Sequence, residues 1–208
     1  MKKRLYYIMK NFVSIVFFIS LTIAFTGCNS LEKTIEKSYA ELKSNNIDFI
    51  KKEYHKRCEI SDIRESTNEI EIRRYEYILV SQTMNLISFI KNDKNCYSQI
   101  FAESNVPKRK IHFINTSNLN SCSLIEKLLE NNIHKLTDYK TVYEEITKDK
   151  PFPFIREDDT SYIVQVKIRD KIYEVYYGDF YLELKLFPKN KELNEYNKIS
   201  RILDNLDL

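Results

Sequence analysis

Three stretches near the C-terminus place apolar and polar residues at alternating positions, a pattern that strongly limits how the chain can fold. They cover residues 161–168, 172–177 and 180–187, and they are rich in aromatic and β-branched side chains. Alternation of this kind is typical of strands with one buried face. Asp170-Lys171, with Arg169 paired to Ile172, and Gly178-Asp179 are predicted to be two-residue loops, the length found in tight hairpins. The sequence therefore predicts a three-stranded antiparallel meander, which needs a covering layer to be stable.

The predicted pairing gives the meander two different faces. One face is apolar, with Val166 opposite Val175 and Val164 opposite Tyr177. The other face is more apolar than a solvated face needs, and its side chains are Ile163, Ile172, Tyr176, Tyr181 and Phe187. We predict that these five residues form a partner-binding surface, unless another part of the chain covers them. Strands 161–168 and 180–187 would be sheet edges, open to strand addition by a partner.

The remainder of the chain is predicted to be largely helical. Apolar side chains at helical spacing occur in residues 31–43, 47–58, 123–132, 137–147 and 191–206. A capping box at Ser66–Glu69 predicts a long helix to Lys91, and a shorter helix is predicted at residues 96–102. Residues 110–114 form a possible short strand. The fold class predicted is therefore α+β, with several amphipathic helices, a three-stranded meander and a C-terminal helix.

The N-terminus combines a basic start with an uncharged stretch that ends in a cysteine. Lys2, Lys3 and Arg4 precede the uncharged residues 11–26, and Phe25-Thr26-Gly27-Cys28 follows at the end of that stretch. This pattern resembles the type II signal peptide of bacterial lipoproteins. The resemblance implies that residues 1–27 are removed, that Cys28 carries lipid, and that residues 28–208 form a single mature domain. Asn29 after the cysteine implies the outer membrane, facing the periplasm.

Composition excludes several classes of function. The signal segment holds four of the 33 Lys and Arg residues and none of the 30 Asp and Glu residues, so the mature part has a formal charge of −1. A nucleic-acid-binding domain would be expected to be basic, and no nucleic-acid partner is predicted. Gly178 is the one glycine after Gly27, which excludes a glycine-rich phosphate loop or dinucleotide fingerprint in its usual form.

Three cysteines remain after Cys28 is assigned to lipid. A cell-envelope location is oxidising enough for a disulfide, and we predict one between Cys96 and Cys122, both near predicted helix ends or loops. Cys58 lies on an apolar stripe and is predicted to be a buried free thiol. The alternative is that all three are ordinary buried thiols.

No local motif indicates catalysis. His55, His112 and His134 are not spaced as metal ligands, and His55-x-x-Cys58 has no second half-site, so no metal and no cofactor are predicted. The glycine count excludes the usual nucleophile elbow. We therefore predict a non-enzymatic, membrane-anchored lipoprotein that binds a protein partner, as an immunity protein or an envelope-assembly accessory does. The alternatives are an envelope hydrolase whose site is assembled from distant residues, or a passive structural lipoprotein.

Overall fold

The computed structural model describes residues 30–45, 60–78, 81, 83–93, 95–104, 110–117, 120–148, 160–178 and 180–204. The predicted signal segment with Cys28, and the predicted helix 47–58 with Cys58, lie outside the described residues. Within this part of the chain, no helix is both long enough and apolar enough to cross a membrane.

The described residues contain a six-stranded antiparallel sheet. Its strands are β1 (Ile70–Ile78), β2 (Thr83–Lys91), β3 (Cys96–Ser104), β4 (Lys110–Ser117), β5 (Thr160–Ile168) and β6 (Lys171–Gly178). They lie side by side in the order β4-β3-β2-β1-β5-β6. β1 to β4 form a meander. A helical segment follows β4, and β5 then pairs with β1. β1, β2, β3 and β5 are therefore interior strands, and β4 and β6 are the edges.

Five helices accompany this sheet in the described residues. They are α1 (residues 30–41), α2 (Ser121–Glu130), α3 (Tyr139–Thr147), α4 (Tyr181–Leu186) and α5 (Lys191–Asp204). α2 packs on β2 and β3, and α3 packs on β6. Asp138 caps α3 in the usual way, because its side chain accepts a hydrogen bond from the backbone N–H of Lys140.

Both faces of the sheet bury apolar side chains. The helix-covered face holds the main core, in which Tyr177 stacks on Tyr196 with ring centroids 5.2 Å apart. The second face holds a smaller buried cluster of Tyr75, Met84, Leu86, Phe101 and Ile163, and Ile60 packs against it. The segment before β1 therefore contributes to the cover of the second face.

The predicted three-stranded meander is wrong, because the sheet has six strands, although the α+β class holds. The helix predicted to end at Lys91 is the β1–β2 hairpin, and the helix predicted at residues 96–102 lies in β3. The error has a physical cause. Since both faces of the sheet are buried, apolar residues fall on both sides of a strand, and Ile72 with Tyr75 imitates the spacing of a helix.

The C-terminal predictions are partly correct. Residues 161–168 and 172–177 do form strands, but their pairing is displaced by two residues, with Val166 opposite Tyr173. The same side chains still share a face, because a shift of two residues preserves the alternation. The turn is Arg169-Asp170, and Arg169 adopts a left-handed φ of 57°. The predicted third strand is wrong, since residues 181–186 form α4.

Candidate functional site

Of the five residues predicted to form a partner surface, Ile163, Ile172 and Tyr176 share one face of the sheet, and Tyr181 and Phe187 do not lie in the sheet. Ile163 is buried in the second-face cluster, Ile172 is half-buried opposite Lys167, and Phe187 packs against the main core. Tyr176 on β6 and Tyr181 on α4 remain, each 43% exposed. The predicted surface therefore reduces to two exposed tyrosines that flank the β6–α4 junction.

The prediction of two open edge strands also needs correction. β5 is a central strand and residues 181–186 are helical, so neither is an edge. β6 is an edge, but Asn45 occupies part of it. The Asn45 side chain donates to the carbonyl of Glu174 at 2.6 Å and accepts from the Glu174 backbone N–H at 2.7 Å. The backbone N–H of Asn45 also donates to the carbonyl of Ile172 at 3.2 Å.

α4 turns two of its three leucines towards solvent and its carboxylate inwards, whereas Leu184 packs against the main core. Leu182 is 48% exposed and Leu186 is 47% exposed, and together with Tyr181 they make up what we call the α4 surface. Glu183 is buried, and its carboxylate accepts a hydrogen bond from the hydroxyl of Tyr139 at 2.7 Å. The exposed Leu182 and Leu186 and the buried Glu183 depart from the usual amphipathic helix, whose apolar side faces the core.

Buried aromatic rings hold the α4 surface in place. Phe180, at the start of the helix, is fully buried and stacks on Tyr181 with centroids 4.7 Å apart. Phe180 also lies 6.1 Å from Tyr177 and 5.7 Å from Tyr196 in ring-to-ring contacts. Because these rings belong to the main core, the exposed leucines project from a rigid base.

Sequence reasoning missed Leu182 and Leu186 because it assigned them to a strand. The signal that could have found them is the composition of Leu182-Glu-Leu-Lys-Leu186, in which each residue is a good helix former and none is β-branched. Pro188 follows shortly after, where a helix commonly stops.

The segment after α1 and the beginning of α4 lie at opposite ends of β6. The chain after α1 contacts the beginning of β6 through Asn45 and Ile172, whereas α4 follows the end of β6 at Gly178. A strand of this length spans about 26 Å. The segment that follows α1 and the start of α4 therefore adjoin opposite ends of β6.

A network of alternating charges attaches α1 to its end of the sheet. Glu69, just before β1, pairs with Lys91 at the end of β2 and with Arg169 at 3.5 Å. Lys91 also pairs with Glu32 at 3.2 Å, and Arg169 pairs with Glu36 at 2.5 Å. The hydrogen bond from Arg169 lowers the pKa of Glu36. The network joins α1, β1, β2 and the β5–β6 turn.

His134 is the described histidine closest to an acid–base arrangement. It is 2% exposed, and its Nε2 lies 3.6 Å from a carboxylate oxygen of Glu41, which pairs with Lys135 at 2.7 Å. Burial lowers the pKa of His134, with a smaller contribution from Lys135. A cleft of about 550 Å³ lies beside it, but both ring nitrogens are shielded from solvent, so no ligand in the cleft can reach them. The described residues also contain no cluster of three potential metal ligands.

The structure joins Cys96 and Cys122, the pair that the sequence suggested, in a disulfide with a Cα–Cα distance of 5.2 Å. Cys96 begins β3 and is buried, whereas Cys122 lies in the first turn of α2 and is exposed. The bond therefore attaches α2 to the strand on which it packs.

The sequence matches no protein-family model and no curated protein.

Proposed function

We propose that this chain is a lipid-anchored binding protein of the cell envelope that holds a protein partner through the α4 surface. In this proposal Cys28 carries the lipid, the domain faces the periplasm from the outer membrane, and no reaction is catalysed. An immunity protein or an accessory of an envelope assembly has this character. The observation that carries the proposal is the exposure of Tyr181, Leu182 and Leu186 on one short helix.

The exposure of two leucine side chains on α4 to water has a cost in free energy that a partner could offset. A leucine side chain contributes about 1.5–3 kcal/mol when it is fully buried rather than exposed. Leu182 and Leu186 are about half exposed, so a partner that covered them would gain about 1 kcal/mol from each. Tyr181 adds an aromatic ring with a polar end, a residue type enriched at the centre of protein interfaces.

The position of the α4 surface suits an anchored protein. Ser30, the first described residue, lies only two residues beyond Cys28, and two residues of extended chain reach about 7 Å. A lipid on Cys28 would hold the α1 end of the sheet close to the bilayer. The α4 surface, at the other end of the strands, would face the periplasm and be accessible to a soluble partner.

Site-specific photo-crosslinking tests the surface. We expect a photoreactive phenylalanine analogue at position 182 or 186 to give one discrete cross-linked species in intact cells. The same analogue at Lys198, an exposed position on α5, is the control and should give none. Equal cross-linking from all three positions, or none from 182 and 186, would refute the proposed surface.

The anchor needs a separate test. Cells fed a palmitate analogue should label the wild-type protein and leave Cys28→Ser unlabelled. Persistent label on Cys28→Ser would show that the lipid is attached elsewhere. This outcome would not affect the conclusion about the α4 surface, because cross-linking is measured separately.

A further inference from the structure

A cleft of about 520 Å³ opens on the second face of the sheet, away from α4 and from the helices. Residues 60–68 form one wall, and β1, β2 and β3 form the floor and the opposite wall. Tyr97 and Phe101 contribute aromatic rings to it. We call it the sheet cleft. Clefts of this size are large enough to hold much of a small organic ligand.

An ion pair whose two charges are both compensated lies at the floor of the sheet cleft. Arg73, 1% exposed, donates through Nε and Nη2 to one oxygen of Glu71, each at 2.6 Å, and through Nη1 to the carbonyl of Ser61 at 2.9 Å. The other carboxylate oxygen of Glu71 accepts from Ser66 at 2.5 Å and from Asn68 at 3.0 Å. Because both charges are compensated, the floor offers no net charge to an ionic ligand.

The rim of the sheet cleft disfavours anions. Glu65 lines it and is exposed, and Arg73 is its one lining cation, already paired with Glu71. An anionic ligand would therefore meet a carboxylate at the rim and no available positive charge. The electrostatics favour a ligand that is polar but uncharged.

Three polar side chains of the sheet cleft have unused hydrogen-bonding capacity. They are the hydroxyl of Thr67, the phenol of Tyr97 and the amide of Gln99, and no hydrogen bond or ion pair engages them within the described residues. Burial raises the pKa of Tyr97, with a smaller contribution from Glu71, so the phenol keeps its proton at neutral pH. The amide and the two hydroxyls can each donate and accept.

We propose that the sheet cleft binds a neutral oligosaccharide. Sugar hydroxyls donate and accept hydrogen bonds at once, which matches the mixed capacity of Thr67, Tyr97 and Gln99. The faces of sugar rings carry C–H groups that pack against aromatic rings, a role open to Tyr97. The proposal does not depend on the α4 surface, because the two sites share no residue.

Titration calorimetry with the full-length protein tests the proposal. The protein is kept in lauryldimethylamine oxide, because this detergent has no sugar head group that could compete for the cleft. The probes are chitotriose and maltotriose, and we expect at least one to bind with a Kd between about 10 μM and 1 mM. Triglycine and pyrophosphate are the comparison ligands, representing a peptide and an anion.

Variants locate the binding site. Tyr97→Ala and Gln99→Ala should each weaken sugar binding about tenfold or more, whereas Tyr97→Phe keeps the ring, loses only the hydrogen bond of the phenol and should weaken binding less than Tyr97→Ala does. Thr67→Ala should also weaken binding, and its matched control Thr141→Ala, on the exposed side of α3, should not. Circular dichroism checks that each variant is folded.

Three results would overturn the proposal. One is that neither sugar binds at concentrations up to about 10 mM, far above the expected Kd. Another is sugar binding that is unchanged in folded Tyr97→Ala and Gln99→Ala. The third is that triglycine or pyrophosphate binds in the cleft and the sugars do not.

Discussion

Reduction of the Cys96–Cys122 disulfide should destabilise the protein strongly. The bond closes a loop with a sequence separation of 26 residues, which contains most of β3 and all of β4. In the chain-entropy model, opening a loop of this size costs about 3.5 kcal/mol at 25 °C, because the unfolded chain regains conformational freedom. With a urea m-value of about 2 kcal/mol/M, the unfolding midpoint should fall by about 1.7 M.

The measurement is urea unfolding of wild-type protein by circular dichroism, with and without a thiol reductant. This comparison changes no side chain, so loss of packing does not contribute to the difference. The control is Cys96→Ala/Cys122→Ala, whose midpoint should not respond to the reductant. A wild-type shift below about 0.5 kcal/mol, with the bond verified before reduction, would refute the entropic reasoning. Trapping of Cys96 and Cys122 as free thiols in untreated protein would refute the bond itself.

Three further predictions concern buried polar groups. Burial lowers the pKa of His134 beside Glu41, so the unfolded state takes up a proton more readily than the folded state as the pH falls below about 6.5. The free energy of unfolding should therefore decrease by at most about 1.4 kcal/mol for each unit by which the pH falls. Urea unfolding between pH 7.5 and 5.5 should show this slope in wild type and a flatter one in His134→Gln. Tyr139→Phe removes the hydroxyl that donates to buried Glu183 and should cost about 1–3 kcal/mol in thermal or urea unfolding, and an unchanged stability would contradict the role of that bond. Glu69→Gln weakens the charge network at α1 and should cost about 1–2 kcal/mol at low salt and less at high salt; a loss independent of salt would argue against electrostatic attachment.

The elements that the sequence predicted correctly are those in which local preference and burial agree. α3 begins at a capping aspartate, and α5 carries Leu193, Tyr196 and Ile199 on a single buried stripe. β5 and β6 were found because polar residues such as Gln165 and Lys167 alternate with the apolar residues of the main core, even though β5 is buried on both faces. In such segments the local pattern and the tertiary environment favour the same structure.

The errors arise where the second face of the sheet is also buried. β1 contains Arg73, 1% exposed, whose charge is satisfied by Glu71 and by the carbonyl of Ser61, contacts that no local pattern reveals. Glu183 in α4 is similar, because its burial depends on Tyr139, 44 residues away in sequence. Distant partners decide whether a charged residue can be buried, so sequence periodicity assigned these segments to the wrong class of element.

The contact between Asn45 and β6 has a consequence for self-association of the protein. Its side-chain amide presents a donor and an acceptor to Glu174, as the peptide group of a seventh strand would. An uncovered sheet edge is a template for pairing with a second copy. By occupying this part of the edge with its own side chain, the chain limits self-association through β6.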